Sequence, residues 1–348
     1  MKQVTVYDIA EEAQVSVATV SRVLNGSAPV SAATREKIEA IMRKRQFQPN
    51  ALARSLTKKE TGIIGVILPD ITNPFFPEVF SGIELEGQEE GYTFFLCNTK
   101  GSYEKESEFL NIMREKRVDG ILFIGGRINL KRCDPAMVRE VVEHAERIPL
   151  VLVNGDLKDA GLTRVATDEY AGTILAVSHL IEQGHTRIGF IGGESHMSTT
   201  SVKLRAFRSA MKRADLPVTE KWVLPGSFSV DAGREHMKRL LEMPERPTAV
   251  CCINDFTAIG AIKTAVEQGL RVPDDLSIVG FDDILLAHHV IPELTTVSQQ
   301  AGELGRTAVR VLRQLMNKDK VKKLTSLEPR LIVRQSTSPP PRQGDRRP

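Results

Sequence analysis

Hydrophobic and polar positions in the first fifty residues repeat with helical spacing and are interrupted by polar turns. The T-x-x-D start signal at Thr5 predicts a helix over Val6–Ala13. After a three-residue turn, Ser16 is placed to cap a second helix from Val17 to about Asn25. A third amphipathic helix is expected after Ser31. The pattern therefore predicts three short helices, the first two of which form a helix-turn-helix arrangement.

From residue 61 the pattern changes to short apolar runs that alternate with helix-length amphipathic stretches. Near-continuous apolar strands between helices are typical of α/β folds with parallel sheets covered on both faces. The strings TGIIGVILPD and HTRIGFIGGE each open with a strand and lead through a loop into a long helix. This weak internal repeat predicts two lobes, each a doubly wound parallel sheet. The candidate strands are 63 to 68, 92 to 97, 120 to 124, 150 to 153, 187 to 191, 249 to 253 and 277 to 281.

Basic charge is concentrated at the amino end of the chain. The 348 residues carry a net charge of +3, but residues 1 to 60 hold 10 Lys and Arg against 6 Asp and Glu. A basic surplus on a small helical unit favours a nucleic-acid partner. Two other interpretations stay open: the surplus is an ordinary solvated face, or the helices form a bundle that binds protein.

The sequence offers little for catalysis, metal binding or membrane insertion. The G-x-G-x-x-G, G-x-x-x-x-G-K-[ST] and G-x-S-x-G patterns are missing, which disfavours a kinase, dehydrogenase or hydrolase on the same sheets. The 7 His and 4 Cys show no metal-ligand spacing, so we expect buried thiols, no metal and no cofactor. No apolar run approaches the roughly 18 residues of a membrane span, and the amino end is charged, so we expect a cytoplasmic protein.

The second helix carries side chains suited to reading DNA. In a helix-turn-helix unit this helix lies in the major groove, where Arg22 can donate two hydrogen bonds to a guanine edge. Val17 and Ala18 offer apolar contact to a thymine methyl group. Phosphate oxygens commonly accept from hydroxyl and amide groups, and such groups are available at Thr5, Tyr7, Ser16, Thr19, Ser21 and Asn25.

Polar and aromatic residues follow the predicted strands of the two lobes. Ligands of such sheets bind outside the carboxyl ends of the strands, and aromatic faces with amide and carboxylate groups suit a polyol or sugar. Each residue taken singly is also explained as a turn former or helix cap. The residues at these strand ends are the segment 70 to 76, Asn98, Asn154, Asn254-Asp255 and Asp282-Asp283.

The amino-terminal blocks VTVYDIAEEAQVSVATVSRVLNG, VSAATREKIEAIMRK and FQPNALARSL closely resemble the lactose-repressor (LacI/GalR) family. The resemblance implies a DNA-binding domain over 1 to 47 and a hinge over 48 to 60 that begins at Gln48-Pro49-Asn50 and folds into a short helix on operator DNA. Leu56 would wedge into the central base step through the minor groove, with Ala53 packed against its symmetry mate. Such a wedge kinks the duplex at a cost of a few kcal/mol, which added contacts offset.

The resemblance continues through VDGILF, HLIEQGHTRIGFIGG, CCINDFTAIGAI, GLRVPDDLSIVGFDD and PELTTVSQ. It implies the fold of periplasmic sugar-binding proteins over 61 to 337, with lobes of about 61 to 163 with 298 to 327 and 164 to 297 with 328 to 337. An effector would lie between the lobes. By position, the residues at effector-contacting sites are Asn154, Phe228, Asn254, Asp282 and Gln299, together with the loop residues Asn73 and Phe75.

One position departs from the family pattern. Where many members carry an arginine in R-x-x-G-[FWY], this chain has Lys203. Lys203 is therefore the eighth candidate effector-binding residue, and two outcomes are open: the lysine favours a carboxylate or phosphate on the ligand, or it points into solvent. We therefore expect the effector to be a sugar, a sugar acid or a phosphosugar.

The resemblance also implies a homodimer that binds palindromic operators and acts as a repressor of carbohydrate genes. An alternative within the family is a catabolite-control regulator, to which PRLIVRQST is similar. Its corepressor would be a phosphorylated carrier protein bound around Glu303 to Arg310. The segment 338 to 348 has no heptad leucines and is expected to be a disordered tail.

Overall fold

The computed structural model describes residues 4 to 25, 28 to 47 and 60 to 341, without the side chain of Asn25. The chain divides into two compact units, Met1–Ile63 and Ile64–Pro348. The first unit contains helices α1 (Val6–Ala13), α2 (Val17–Asn25) and α3 (Ala32–Lys44). These are the three helices that the sequence pattern predicts.

Local capping explains where the three helices begin. The Thr5 hydroxyl accepts from the Asp8 amide at 3.3 Å, while the Thr5 amide donates to the Asp8 carboxylate at 2.7 Å, which completes a capping box. The Ser16 hydroxyl accepts from the Thr19 amide at 3.2 Å, and Ser31 caps α3 in the same way. These caps satisfy amides that have no partner within the helix.

The three helices bury a small common core. Ile9, Val20 and Ile38 are completely buried, and Ala10 is buried between them. Val23 is buried in the same core, and the half-buried Leu24 packs against it.

Residues 60 to 341 form twelve strands and eight helices, apart from short 3-10 turns, and the second unit contains all of them except Ile63, the first residue of β1. The strands are β1 (Ile63–Leu68), β2 (Thr93–Asn98), β3 (Gly120–Ile124), β4 (Leu150–Val153), β5 (Thr163–Thr167), β6 (Ile188–Ile191), β7 (Val223–Leu224), β8 (Ala249–Cys252), β9 (Ser277–Val279), β10 (Thr296–Ser298), β11 (Leu324–Leu327) and β12 (Arg330–Ile332). The helices are α4 (Phe75–Glu89), α5 (Tyr103–Glu115), α6 (Pro135–Ala145), α7 (Glu169–Glu182), α8 (Ser198–Arg213), α9 (Val230–Leu241), α10 (Asp255–Glu267) and α11 (Ala301–Met316).

Two sheets define two lobes, as predicted. The first-lobe sheet has the order β2-β1-β3-β4-β5-β11, and its pairs from β1 to β11 are parallel. The second-lobe sheet has the order β7-β6-β8-β9 and is also parallel. A two-stranded antiparallel ribbon, β10 with β12, accompanies them. Each lobe therefore places the carboxyl ends of its strands along one edge, where ligands of such folds bind.

The chain passes between the lobes near Asp168, at Gln299-Gln300 and near Glu328. These crossings are tied to one another: the Asp168 amide donates to the Leu327 carbonyl at 3.1 Å, and the Gln300 side chain donates to the Glu328 carbonyl at 2.6 Å. Three crossings, connected by hydrogen bonds, therefore join the two lobes.

Two boundary predictions were wrong. Residues 164 to 167 were assigned to the second lobe, but they belong to β5, which pairs with β4 in the first sheet. The tail was expected to be disordered from residue 338, yet the Ser338 amide donates to the Ser277 hydroxyl at 3.0 Å and its carbonyl accepts from His185 at 2.8 Å. Residues 342 to 348 lie outside the described residues.

Cys97, Cys251 and Cys252 are buried, whereas Cys133 is only half-buried. Burial raises the pKa of the Cys251 thiol to about 12, so this group stays protonated at neutral pH. Over the described ranges, no helix combines the length and the apolar character that a bilayer crossing requires.

Candidate DNA-binding and effector sites

The predicted DNA-reading side chains lie on the accessible face of the first unit. Arg22 and Ala18 are exposed, Val17 is half-buried, and Tyr7 has 73% of its surface exposed. Arg22 forms no ion pair with any residue in the described part of the chain, so its guanidinium is available to a partner.

The hydroxyl residues predicted to meet phosphates are also accessible. Thr5 and Ser16 are exposed, while Thr19 and Ser21 are half-buried. Thr5 and Ser16 already cap helices, which places their side chains at helix amino termini, where backbone amides favour phosphate. The side chain of Asn25 and the residues Asn50, Ala53 and Leu56 lie outside the described residues, and their roles stay predictions.

The second unit contains a cavity of about 870 Å³ between the lobes, at the carboxyl ends of the strands. Its size falls in the range of small-molecule sites. The cavity is lined by all eight residues predicted to contact an effector: Asn73, Phe75, Asn154, Lys203, Phe228, Asn254, Asp282 and Gln299.

A chain of amide and carboxyl groups runs through the floor of the cavity. The Asn154 side chain donates to Gln299 Oε1 at 2.8 Å, and Gln299 Nε2 donates to Asp282 Oδ1 at 2.6 Å. Asn154 also accepts from the Thr167 amide at 3.0 Å. Because Gln299 lies on a lobe crossing, this network links the floor of the cavity to that crossing.

Asp282 and its neighbour Asp283 face different partners. Asp282 is buried in the cavity, whereas Asp283 pairs with Arg334 at 2.6 Å. Burial raises the pKa of Asp282 to about 7, while Lys203 and the Gln299 hydrogen bond act against that rise. The two adjacent carboxyls therefore lie in separate environments.

Lys203 does not point into solvent. Only 4% of its surface is exposed, and Nζ donates to the Ile253 carbonyl at 3.0 Å. Nζ also lies 3.5 Å from Glu169 Oε1 and 3.5 Å from the centroid of the Phe281 ring. The ammonium is thus held inside the cavity wall, and the solvent alternative was wrong.

Aromatic rings provide the apolar part of the cavity wall. Phe75 is buried and packs edge-on against Phe76, with 5.4 Å between ring centroids. On the opposite lobe, Asn254 caps α10 and also donates to the Phe228 carbonyl at 2.9 Å. Asn254 therefore serves as both the helix cap and a cavity residue, so the two interpretations of its position are compatible.

Sequence reasoning missed several lining residues. Glu169 begins α7 directly after β5, a strand whose half-polar sequence TRVAT hid this strand end. Glu194 follows β6, and the strand-end rule would have included it. The other missed lining residues include Tyr103, Asn129, His196, Met197, Thr199 and Phe256.

A buried ion network supports the cavity loop at 125 to 129. Arg127 is completely buried, and its Nε donates to Glu106 at 2.6 Å while a terminal nitrogen donates to Glu140 at 2.6 Å. Its other terminal nitrogen donates to the Tyr103 carbonyl at 2.5 Å and to the Ser107 hydroxyl at 2.7 Å. These bonds fix the loop that presents Asn129 and the helix that presents Tyr103 to the cavity.

A short backbone strap joins the lobes beside the cavity. The Lys131 amide donates to the His196 carbonyl at 2.8 Å, and Leu130 forms an antiparallel bridge with Met197. The Ser198 hydroxyl adds a hydrogen bond to the Asn129 carbonyl at 3.0 Å. We call the segments 129 to 131 and 196 to 198 the strap.

Comparison with known families identifies the class of protein. Residues 5–50 match the family described as bacterial regulatory proteins of the lacI family, and residues 177–337 match a periplasmic binding protein-like domain. The HTH-type transcriptional regulator DegA of Bacillus subtilis is 37% identical over 339 residues, covering 96% of this chain and 98% of DegA. The HTH-type transcriptional repressor PurR of Photobacterium profundum is 34% identical, covering 95% of this chain and 98% of PurR.

Solved structures agree in fold. A lac repressor dimer bound to operator and the anti-inducer ONPF superposes with a TM-score of 0.87 at 29% identity, covering 97% of this chain and all of that one. The transcription regulator CcpA of Lactococcus lactis has a TM-score of 0.73 at 27% identity, covering 79% of this chain and 99% of that one.

The chain belongs to the LacI family and is a DNA-binding transcriptional regulator. Its relatives are regulators, which confirms the expectation of a regulator rather than an enzyme. The predicted fold class, a helix-turn-helix unit with a two-lobed periplasmic-binding-protein-like domain, is also confirmed.

Proposed function

We propose that this protein is a repressor that binds palindromic operators as a homodimer and is controlled by a sugar or sugar derivative in the cavity between its lobes. The observation that carries the proposal is the convergence of eight predicted residues on one cavity of about 870 Å³. Phe75 and Phe228 offer flat apolar faces, and the Asn154, Gln299 and Asp282 chain offers fixed hydrogen-bond partners. This combination suits a compact ligand with several hydroxyl groups.

Operator reading is assigned to Arg22 and its neighbours on α2. Arg22 is exposed at the last turn of α2, where a bidentate contact to guanine discriminates by about 1–3 kcal/mol. One such unit makes few contacts, so two units on symmetric half-sites are needed for useful affinity at cellular salt.

Exposed apolar side chains on the second unit support a dimer. Ile291 has 91% of its surface exposed and Leu285 67%, both in the segment after β9. In the first lobe, Phe95 is 40% exposed on β2, which is an edge strand of its sheet. Large exposed apolar residues and an open edge are features that an interface between copies would cover.

The strap and the lobe crossings can couple ligand binding in the cavity to DNA binding. The floor network ends at Gln299 on a lobe crossing, and the strap holds the lobes on the other side of the cavity. A ligand that prefers one lobe arrangement shifts the population of that arrangement, typically by a coupling of about 1–3 kcal/mol. In a dimer this shift changes the spacing of the two DNA-binding units.

Two experiments test the proposal. Calorimetry of the purified protein against neutral sugars, sugar acids and phosphosugars should give saturable binding by at least one compound, and Asp282→Asn or Phe228→Ala should weaken it at least tenfold. Selection of binding sites from random duplexes should return a palindrome. Arg22→Ala should relax one base preference in each half-site, whereas Arg35→Ala, a change of the same type on α3, should leave the recovered bases unchanged. Recovery of no symmetric sequence would refute the dimeric reader.

A catabolite-control function is the second candidate. The similarity in fold to CcpA favours it, and the surface from Glu303 to Arg310 is the proposed contact for a phosphorylated carrier protein. Arg310 on that surface is held by Glu86 at 2.8 Å and Glu303 at 2.9 Å. If phosphorylated carrier protein increases the affinity for operator DNA, and Arg310→Ala abolishes that increase, the result would favour this candidate over regulation by a free sugar.

A further inference from the structure

Lys203 is already neutralised by groups of the protein. Glu169 Oε1 lies 3.5 Å from its Nζ, the Ile253 carbonyl accepts from it at 3.0 Å, and the Phe281 ring covers it at 3.5 Å. Asp282 supplies a second carboxyl within electrostatic range. A buried ammonium with these partners has little capacity left for an anionic group of a ligand.

Acidic residues outnumber basic residues in the described cavity wall. The side chain of His196 lies 3.3 Å from Glu194, so even this group has an acidic partner. Because the pKa of Asp282 is about 7, its carboxyl is only partly ionised at neutral pH, but three other carboxylates still outnumber the two lysine ammonium groups. A carboxylate or phosphate entering the cavity would therefore meet net negative charge, and repulsion is strong in a partly desolvated site. The acidic lining residues are Asp70, Glu169, Glu194 and Asp282, and the basic ones are Lys100, Lys203 and, when protonated, His196.

Side-chain oxygens lie at the amino termini of α8, α9 and α10, three of the helices that begin at the cavity. The Ser229 hydroxyl accepts from the Ala232 amide at 3.1 Å, and Asn254 caps α10. The N-cap residue of α8 makes no such side-chain hydrogen bond. Instead, the hydroxyl of Thr199, in the first turn of α8, donates a hydrogen bond to Glu169. Glu169 thus places a carboxylate beside the amino terminus of α8, a position that favours negative charge.

We infer that the cavity excludes carboxylate and phosphate ligands and takes a polyhydroxylated compound without an anionic group, with Glu169 as the residue that imposes this selectivity. Glu169 does so by holding both Lys203 and the first turn of α8. This inference rests on the proposed sugar-responsive function and narrows its ligand class. It also assigns a role to the lysine that replaces the usual arginine: it is the partner of a built-in carboxylate.

The test is calorimetry with matched ligands, in which each neutral pentose, hexose or disaccharide is paired with its acid and its phosphate, and inorganic phosphate is added as a bare anion. The wild-type protein should bind a neutral member at least about 30-fold more tightly than its anionic partners. Glu169→Gln should narrow that ratio by about tenfold or more, because it removes one negative charge close to Lys203. Glu169→Asp keeps the charge and should leave the ratio within about threefold of wild type.

Glu182→Gln is the matched control, since it makes the same substitution at the exposed, opposite end of α7 and should leave the ratio unchanged. Binding of an anionic member as tightly as its neutral partner would overturn the inference. An unchanged ratio in Glu169→Gln, or an equal change in Glu182→Gln, would remove Glu169 as its cause. No binding by any member would instead refute the sugar-responsive function itself.

Discussion

Replacing Arg127 with methionine should destabilise the first lobe by about 3–5 kcal/mol at pH 8, the usual cost of removing one partner from a buried ion pair. Arg127 is 0% exposed and Glu106 1%, so water cannot replace the lost guanidinium. Methionine fills most of the volume, so the lost charge and hydrogen bonds dominate the cost. Urea unfolding followed by far-ultraviolet circular dichroism measures the effect.

The pH dependence of this destabilisation tests whether the unpaired Glu106 carboxylate causes it. Burial raises the pKa of Glu106 even with Arg127 beside it, and loss of Arg127 should raise it further. A carboxyl whose folded pKa lies above the unfolded value of about 4.3 loses stability as pH rises through the folded pKa. Arg127→Met should therefore be less destabilising at pH 5 than at pH 8, and adding Glu106→Gln should recover about 2 kcal/mol at pH 8.

Arg164→Met is the control, because the Arg164 and Asp156 pair is 32% and 43% exposed and should cost no more than about 1 kcal/mol. If Arg127→Met costs no more than this control, or if Glu106→Gln rescues nothing, the buried network is not what supports the loop. Effector binding by Arg127→Met should weaken in parallel, since the loop presents Asn129 and the adjoining helix presents Tyr103.

Three further outcomes are expected. Gly126→Ala should lower the free energy of unfolding in urea by more than about 2 kcal/mol, because φ is 68° and the new Cβ would lie 1.9 Å from a carboxylate oxygen of the buried Glu106. Gly161→Ala is the control: φ is 66°, but the space around its Cβ is open, so the loss should be only about 1 kcal/mol. Burial raises the pKa of Asp282 to about 7, so its contribution to stability is lost as pH rises from about 4 through 7, and Asp282→Asn should remove that loss in paired pH series of unfolding. Ser198→Ala should loosen the strap, which faster hydrogen exchange of the Lys131 amide would report; an unchanged rate would show that the hydroxyl does not hold it.

Sequence patterns predicted those features of this protein that depend on neighbouring residues. The helices of the first unit follow from local caps such as Ser16, and the apolar strands of both sheets follow from uninterrupted runs such as 63 to 68. Strands β5 and β11 were missed because TRVAT and LTSL alternate with polar residues and are stabilised by pairing with distant strands. Such pairing leaves only a weak local signal.

The cavity was predicted in outline for a similar reason. Strand ends identify Asn154 and Asp282, but the partners that set their chemistry come from other parts of the chain. Gln299 meets Asn154 across 145 positions, and Lys203 meets the Ile253 carbonyl across 50. The direction of Lys203 and the burial of Arg127 were therefore beyond any reading of local pattern.

Two segments near the carboxyl end of the described residues complete sheets that are otherwise made of earlier parts of the chain. Strand β11 forms the outer strand of a sheet whose other strands end by residue 167, and the Ser336 carbonyl accepts from the Ile278 amide at 2.8 Å in the other sheet. A ribosome must therefore release almost the whole polypeptide before either lobe gains its last partner. A chain that ends before Leu324 lacks both β11 and the Ser336 contact, so it should unfold at a lower urea concentration than the full chain.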